Sequence, residues 1–87
     1  MEQRREEQTL YRHTSREGEE SIETRLDRDA AGRLHLFCRL SGPDGGDETV
    51  LPDLGRPEKE CLAFARAVAE SHTHPRILAE LWEEYGG

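Results

Sequence analysis

The sequence predicts an α+β fold, an antiparallel β-meander of three to four strands with two C-terminal helices packed on one face. Three observations predict it. Apolar and polar residues alternate from Ile22 to Leu26 and from Leu34 to Leu40, the period of half-buried strands. Beyond Pro57 the apolar spacing changes to three and four, the period of helices. Between these segments lie clusters of Gly, Pro and Asp, which break regular structure. With 87 residues there is room for one small domain, expected over 9–87. A chain of this size buries about 60% of its unfolded surface.

Residues 1–8 are polar after Met1 and are expected to form a disordered leader. Thr9 to His13 are expected as a first strand, followed by a polar turn over Ser15–Glu20 centred on Gly18. In the next strand Ile22, Thr24 and Leu26 alternate with Glu23, Arg25 and Asp27. Its partner alternates Leu34, Leu36, Cys38 and Leu40 with Arg33, His35, Phe37 and Arg39.

Parity decides the connection between these two strands. A four-residue loop over Asp29–Gly32 would put the two apolar sets on opposite faces. A three-residue loop, Ala30-Ala31-Gly32, closes on Asp29 opposite Arg33 and suits a type I turn ending in a left-handed Gly. It sets Leu26 opposite Leu36, Ile22 opposite Leu40 and Glu23 opposite Arg39, pairs worth about 0.2–1 kcal/mol each. A five-residue loop preserves the same faces.

Ser41–Asp47 is expected as a loop, and Thr49-Val50-Leu51 as a short strand stopped by Pro52 at a sheet edge. Arg56-Pro57-Glu58 has the pattern of a helix start, with Pro at the first position and acids in the first turn. Cys61, Phe64, Ala65 and Val68 share one stripe, flanked by Leu62 and Ala69, and the helix should end near Ser71. Thr73-His74-Pro75 opens a second helix with Ile77, Leu78, Leu81, Trp82 and Tyr85 in one arc, ended by Gly86-Gly87. That ending explains the terminal glycines without a carrier function.

Nineteen acids oppose 12 bases for a net charge of −7, distributed as −1 over residues 1–43 and −6 over 44–87. Phosphate neutralisation requires clustered Lys and Arg, so nucleic acid is not expected as a partner. No apolar run approaches the ~20 residues of a membrane span, and Met1–Glu7 lacks the apolar centre of a secretion signal. A cytoplasmic location follows as the expectation, with Cys38 and Cys61 as free, buried thiols; a disulfide between them is the alternative.

Along His74-Pro75-Arg76-Ile77-Leu78-Ala79-Glu80-Leu81-Trp82-Glu83-Glu84-Tyr85 the chain resembles the ending of a family of short bacterial proteins, mostly from Firmicutes, classed as a domain of unknown function. The resemblance covers about residues 33–85. It implies a hairpin, a short strand running into an Asp-containing turn at Leu51-Pro52-Asp53-Leu54, a helix, and a Pro-initiated acidic helix. It carries over no catalytic residue.

Candidate chemistry is sparse. His72-Thr73-His74 with Cys61 could supply three ligands to zinc, but without paired Cys-x-x-Cys or helical His-x-x-x-His spacing. No Ser sits in a Gly-x-Ser-x-Gly elbow. Glu19-Glu20 and Glu83-Glu84 are adjacent in sequence and read as solvated surface. No catalytic residue, metal or cofactor is expected, and the chain is expected not to be an enzyme.

Two surfaces stand out for protein binding. His35, Phe37 and Arg39 share the strand face opposite the core, where an aromatic beside Arg suits a binding hot spot, unless Arg25 folds over the ring. Glu80, Glu83 and Glu84 form an acidic helical surface. The expected function is a small interaction or regulatory module, with an unknown protein or a second copy of itself as partner. The alternatives are a metal protein or enzyme using His72, His74 and Cys61, or an acidic nucleic-acid mimic.

Overall fold

The computed structural model describes residues 8–86. Residues 1–7 of the expected leader and Gly87 lie outside the described residues, and Gln8 already belongs to the first strand. Four strands, β1 (Gln8–Glu17), β2 (Glu20–Arg28), β3 (Leu34–Gly42) and β4 (Gly45–Leu51), pair antiparallel in sequence order. Helix α1 (Glu58–Glu70) lies against β1, β2 and β3. A 3₁₀ turn, Pro75–Ile77, packs on β4 and β3 and leads into α2 (Leu78–Gly86). The helical layer covers one face of the sheet, and the smallest extent of the chain is 17 Å.

The β2–β3 register is the one that parity requires. Leu26 stands opposite Leu36, Ile22 opposite Leu40 and Glu23 opposite Arg39. Gly32 N–H donates to the Asp29 carbonyl at 3.0 Å, Asp29 N–H donates to the Arg33 carbonyl at 2.9 Å, and Gly32 takes φ 88°. This is the three-residue connection, a type I turn followed by a left-handed Gly. Leu26, Leu36, Cys38, Cys61 and Ala65 are fully buried, and Ile22, Phe64 and Val68 nearly so. Burying each large apolar side chain contributes about 1.5–3 kcal/mol.

Three expected boundaries are corrected. The first strand extends to Glu17 rather than stopping at His13, because Gly18, at φ 62°, lets the chain reverse within Gly18-Glu19. A bulge between Thr9 and Tyr11 leaves Leu10 without a cross-strand partner, so Leu10 and Tyr11 both pack against the core and no alternation shows there. The expected Ser41–Asp47 loop is mostly strand, reduced to a Pro43-Asp44 turn between Gly42 and Gly45. Glycine makes that possible: a Cβ on Gly46 would stand 2.3 Å from the Leu40 carbonyl oxygen.

The second helix also departs from expectation. Its first turn is 3₁₀, with three residues per turn, which takes Ile77 out of the predicted arc. Leu78 is buried, Leu81 and Trp82 are half-buried, and Ile77 and Tyr85 remain 42% and 45% exposed.

Helix α1 ends in a Schellman arrangement. Thr73 N–H donates to the Val68 carbonyl, and His72 N–H to that of Ala69. His72 occupies the left-handed position, φ 51°, where Gly is the usual residue.

Candidate functional site

The sheet face away from the helices carries Arg12, Arg25, Phe37 and Val50 in one cross-strand row, and Thr14, Glu23, Arg39 and Glu48 in the next. Phe37 is half-buried because the Arg25 guanidinium lies over its ring, 4.5 Å from the centroid. Arg25 Nε also donates to Asp27 at 2.9 Å, and Arg12 pairs with Glu23 at 3.2 Å. Arg39 is exposed between Glu23 and Glu48 and makes no ion pair among the described residues. Val50, beside Phe37, is 48% exposed.

His35 ties two turns together. Its Nδ1 accepts from Asp53 N–H at 3.1 Å and its Nε2 donates to Asp29 Oδ2 at 2.8 Å. The other Asp29 oxygen accepts from the Ala31 and Arg33 amides. The bond from His35, then those from the amides, hold the Asp29 carboxyl below its ordinary value. Asp53 stands at φ 49° in the turn that sends β4 toward α1, so His35 braces that turn against the β2–β3 connection.

On the helical side, Phe64 meets Trp82 edge-on at 4.8 Å and Tyr85 at 5.2 Å, while Trp82 and Tyr85 stack at 5.9 Å. Beside this trio α1 and α2 enclose a groove of about 400 Å³, lined by Phe64, Ala67, Val68, Ser71, Thr73, Leu81, Glu84 and Tyr85. Five of these residues present an apolar wall. A larger hollow of about 550 Å³ borders the β3–β4 hairpin, but Gly42, Gly45, Gly46, Asp47 and Glu48 dominate its lining. Glu80, Glu83 and Glu84 are exposed and make no ion pair among the described residues, and α2 contains no Lys or Arg. Negative charge in the last turn of a helix opposes the macrodipole, so Glu83 and Glu84 sit at an electrostatically unfavourable position.

His72, His74 and Cys61, the alternative metal or catalytic set, do not converge. His72 Nδ1 hydrogen-bonds Ser15 Oγ, and its Nε2 faces Glu20 at 3.3 Å and Glu17 at 3.8 Å. His74 Nδ1 caps the 3₁₀ turn, accepting from Arg76 N–H at 3.1 Å. Cys61 is buried in α1, its thiol directed at the Arg56 carbonyl. Among the described residues no group of three or more His, Cys, Asp or Glu side chains is placed to hold a metal. Cys38 and Cys61 are both free. Burial pushes both thiols above their ordinary value, the direction that weakens a nucleophile.

No family model, no curated protein and no solved structure matches the chain. Among the described residues no helix is long and apolar enough to cross a membrane.

Periodicity alone does not reveal the groove, because it sends Phe64, Val68, Leu81 and Tyr85 to apolar stripes and leaves Ala67, Ser71, Thr73 and Glu84 outside them. The available signal is Ala67 on α1 and Ser71 at its C-terminal cap, small residues one turn apart outside the predicted apolar stripe. Small side chains there leave a hollow beside half-buried Leu81 and exposed Tyr85, with Phe64 and Val68 nearly buried at its floor.

Proposed function

We propose that this chain is a small, non-enzymatic protein-interaction module that docks a partner on its helical side, in the groove between α1 and α2. The observation that carries this reading is the groove itself. An apolar wall ends at an aromatic, Tyr85, that stays 45% exposed although it belongs to a three-ring cluster. Tyr is among the residues enriched at interaction hot spots, where a ring supplies contact area and a hydroxyl a directional bond. The sheet face around Phe37 supports the reading less, because Arg25 already occupies the ring.

The same proposal includes a reducing, cytoplasmic setting, supported by two free buried thiols. Kinship with the short bacterial family is a proposal of the same kind. Its support is the layout over 33–85, in which β4 ends at Leu51, the chain turns through Asp53, and α1 and then α2 follow.

The test is affinity capture from native cells with three baits: the unaltered chain, Ala67→Phe and Phe37→Asp. Ala67 is exposed on the groove, so a Phe there fills the groove without entering the core. A partner retained by Phe37→Asp and lost by Ala67→Phe places docking in the groove. The reverse pattern transfers docking to the sheet face and overturns the reading.

A further inference from the structure

The groove is open to solvent on one side, so its apolar wall alone cannot enclose a ligand. Enclosed small-molecule sites bury most of the ligand surface. Affinity here has to come from the wall and the rim together. The wall is Ala67, Leu81 and Tyr85 at the surface, over nearly buried Phe64 and Val68. The rim is acidic, with Glu84 in the lining and Glu80 and Glu83 exposed on the same short helix. No cation in α2 compensates them, and the last turn adds the negative end of the helix dipole. The nearby Arg56 is already engaged, bonded to Glu60 at 2.7 Å and set 5.8 Å from the Trp82 ring.

We infer that the occupant of the groove is a basic amphipathic segment of another protein. An apolar side chain of the segment seats against Leu81 and Tyr85, and its Lys or Arg residues lie over Glu80, Glu83 and Glu84. This inference rests on the groove reading and adds the chemistry of the partner. The charge distribution supports it, since residues 44–87 carry a net −6, a field that steers cationic partners and repels acidic ones. A cation over the last turn of α2 also satisfies the helix terminus that Glu83 and Glu84 oppose.

Trp82 is the only tryptophan and stacks on Tyr85, so its fluorescence reports on the groove. The probes are three synthetic amphipathic peptides of about 18 residues, five helical turns, sharing one Leu face and carrying Lys, Gln or Glu on the other. The Lys peptide is expected to shift Trp82 emission saturably, and Ala67→Phe is expected to abolish that shift. Replacing Glu80, Glu83 and Glu84 by Gln is expected to weaken binding about tenfold, with circular dichroism confirming the fold.

Equal binding of the Lys and Gln peptides, both blocked by Ala67→Phe, would overturn the basic partner while sparing the groove. Binding of the Lys peptide that ignores Ala67→Phe but vanishes in salt would overturn the seated side chain. It would leave only acidic attraction, as in nucleic-acid mimicry. No response to any peptide overturns the inference; the groove itself is then judged by the capture experiment alone.

Discussion

The Arg25 guanidinium carbon stands 4.5 Å from the centroid of the Phe37 ring, directly across the β2–β3 ladder. The same guanidinium bonds Asp27 two residues along its own strand. One side chain therefore closes the only aromatic that the described residues place on the helix-free sheet face. Arg25→Ala is expected to lower stability by about 1 kcal/mol, combining an exposed cation–π contact with a partly screened ion pair. Urea denaturation measures it. No loss would mean that the cover is a resting position rather than an energetic contact.

Thr24 is buried on the core face opposite Cys38, and among the described residues its hydroxyl has no oxygen or nitrogen partner, only the Cys38 thiol across the ladder. A buried hydroxyl with at most a weak thiol partner costs more than a methyl of the same shape. Thr24→Val should therefore raise stability by about 1 kcal/mol. A destabilised Thr24→Val protein would show that the hydroxyl does find a partner, with the Cys38 thiol the group to examine.

Ser15 on β1 and His72 after α1 are 57 positions apart and hydrogen-bonded through Oγ and Nδ1. A double-mutant cycle of Ser15→Ala and His72→Gly should give a coupling energy of about 1 kcal/mol. His72→Gly alone should cost little, because Gly recovers about 1 kcal/mol at a left-handed position. Additive effects in the cycle would remove the bond as a link between hairpin and helix.

Gly46 admits no side chain, since a Cβ would stand 2.3 Å from a backbone oxygen of β3. Gly46→Ala should destabilise the chain by about 2 kcal/mol or more, as overpacking against an unyielding group does. The loss should appear as a lower Tm, with increased hydrogen exchange confined to the β3–β4 hairpin. A neutral substitution would mean that this hairpin carries little of the fold.

The Asp29 carboxyl is held below its ordinary value of 3.8, first by His35 and then by two turn amides. A depressed folded value means that its stabilisation is complete above the unfolded value and is lost as pH falls through the folded one. Asp29→Asn should therefore flatten the acid limb of stability against pH below about 4. An unchanged slope on that limb would assign it to other carboxylates.

Much of the fold could be read directly from residue order. Alternation from Ile22 to Leu40 assigns each side chain to a face, and loop parity admits few registers, so the pairing of Leu26 with Leu36 follows from the sequence. The stripe of Cys61, Phe64, Ala65 and Val68 likewise names the buried side of α1. The extent of the strands was harder to read, because the glycines that look like loop at Gly42–Gly46 also permit a tight hairpin.

The candidate sites depended on contacts that periodicity does not report. Alternation places Phe37 and His35 on the outer face, but Arg25, Asp29 and Asp53 decide that the ring is covered and the imidazole is tied down. Helical spacing groups Tyr85 with Leu78, yet a 3₁₀ first turn and the small residues Ala67 and Ser71 leave Tyr85 exposed beside an open groove. Local order determines the direction a side chain takes from its own backbone. Its cover is decided only when elements distant in sequence meet, because burial belongs to the pair of surfaces rather than to either one.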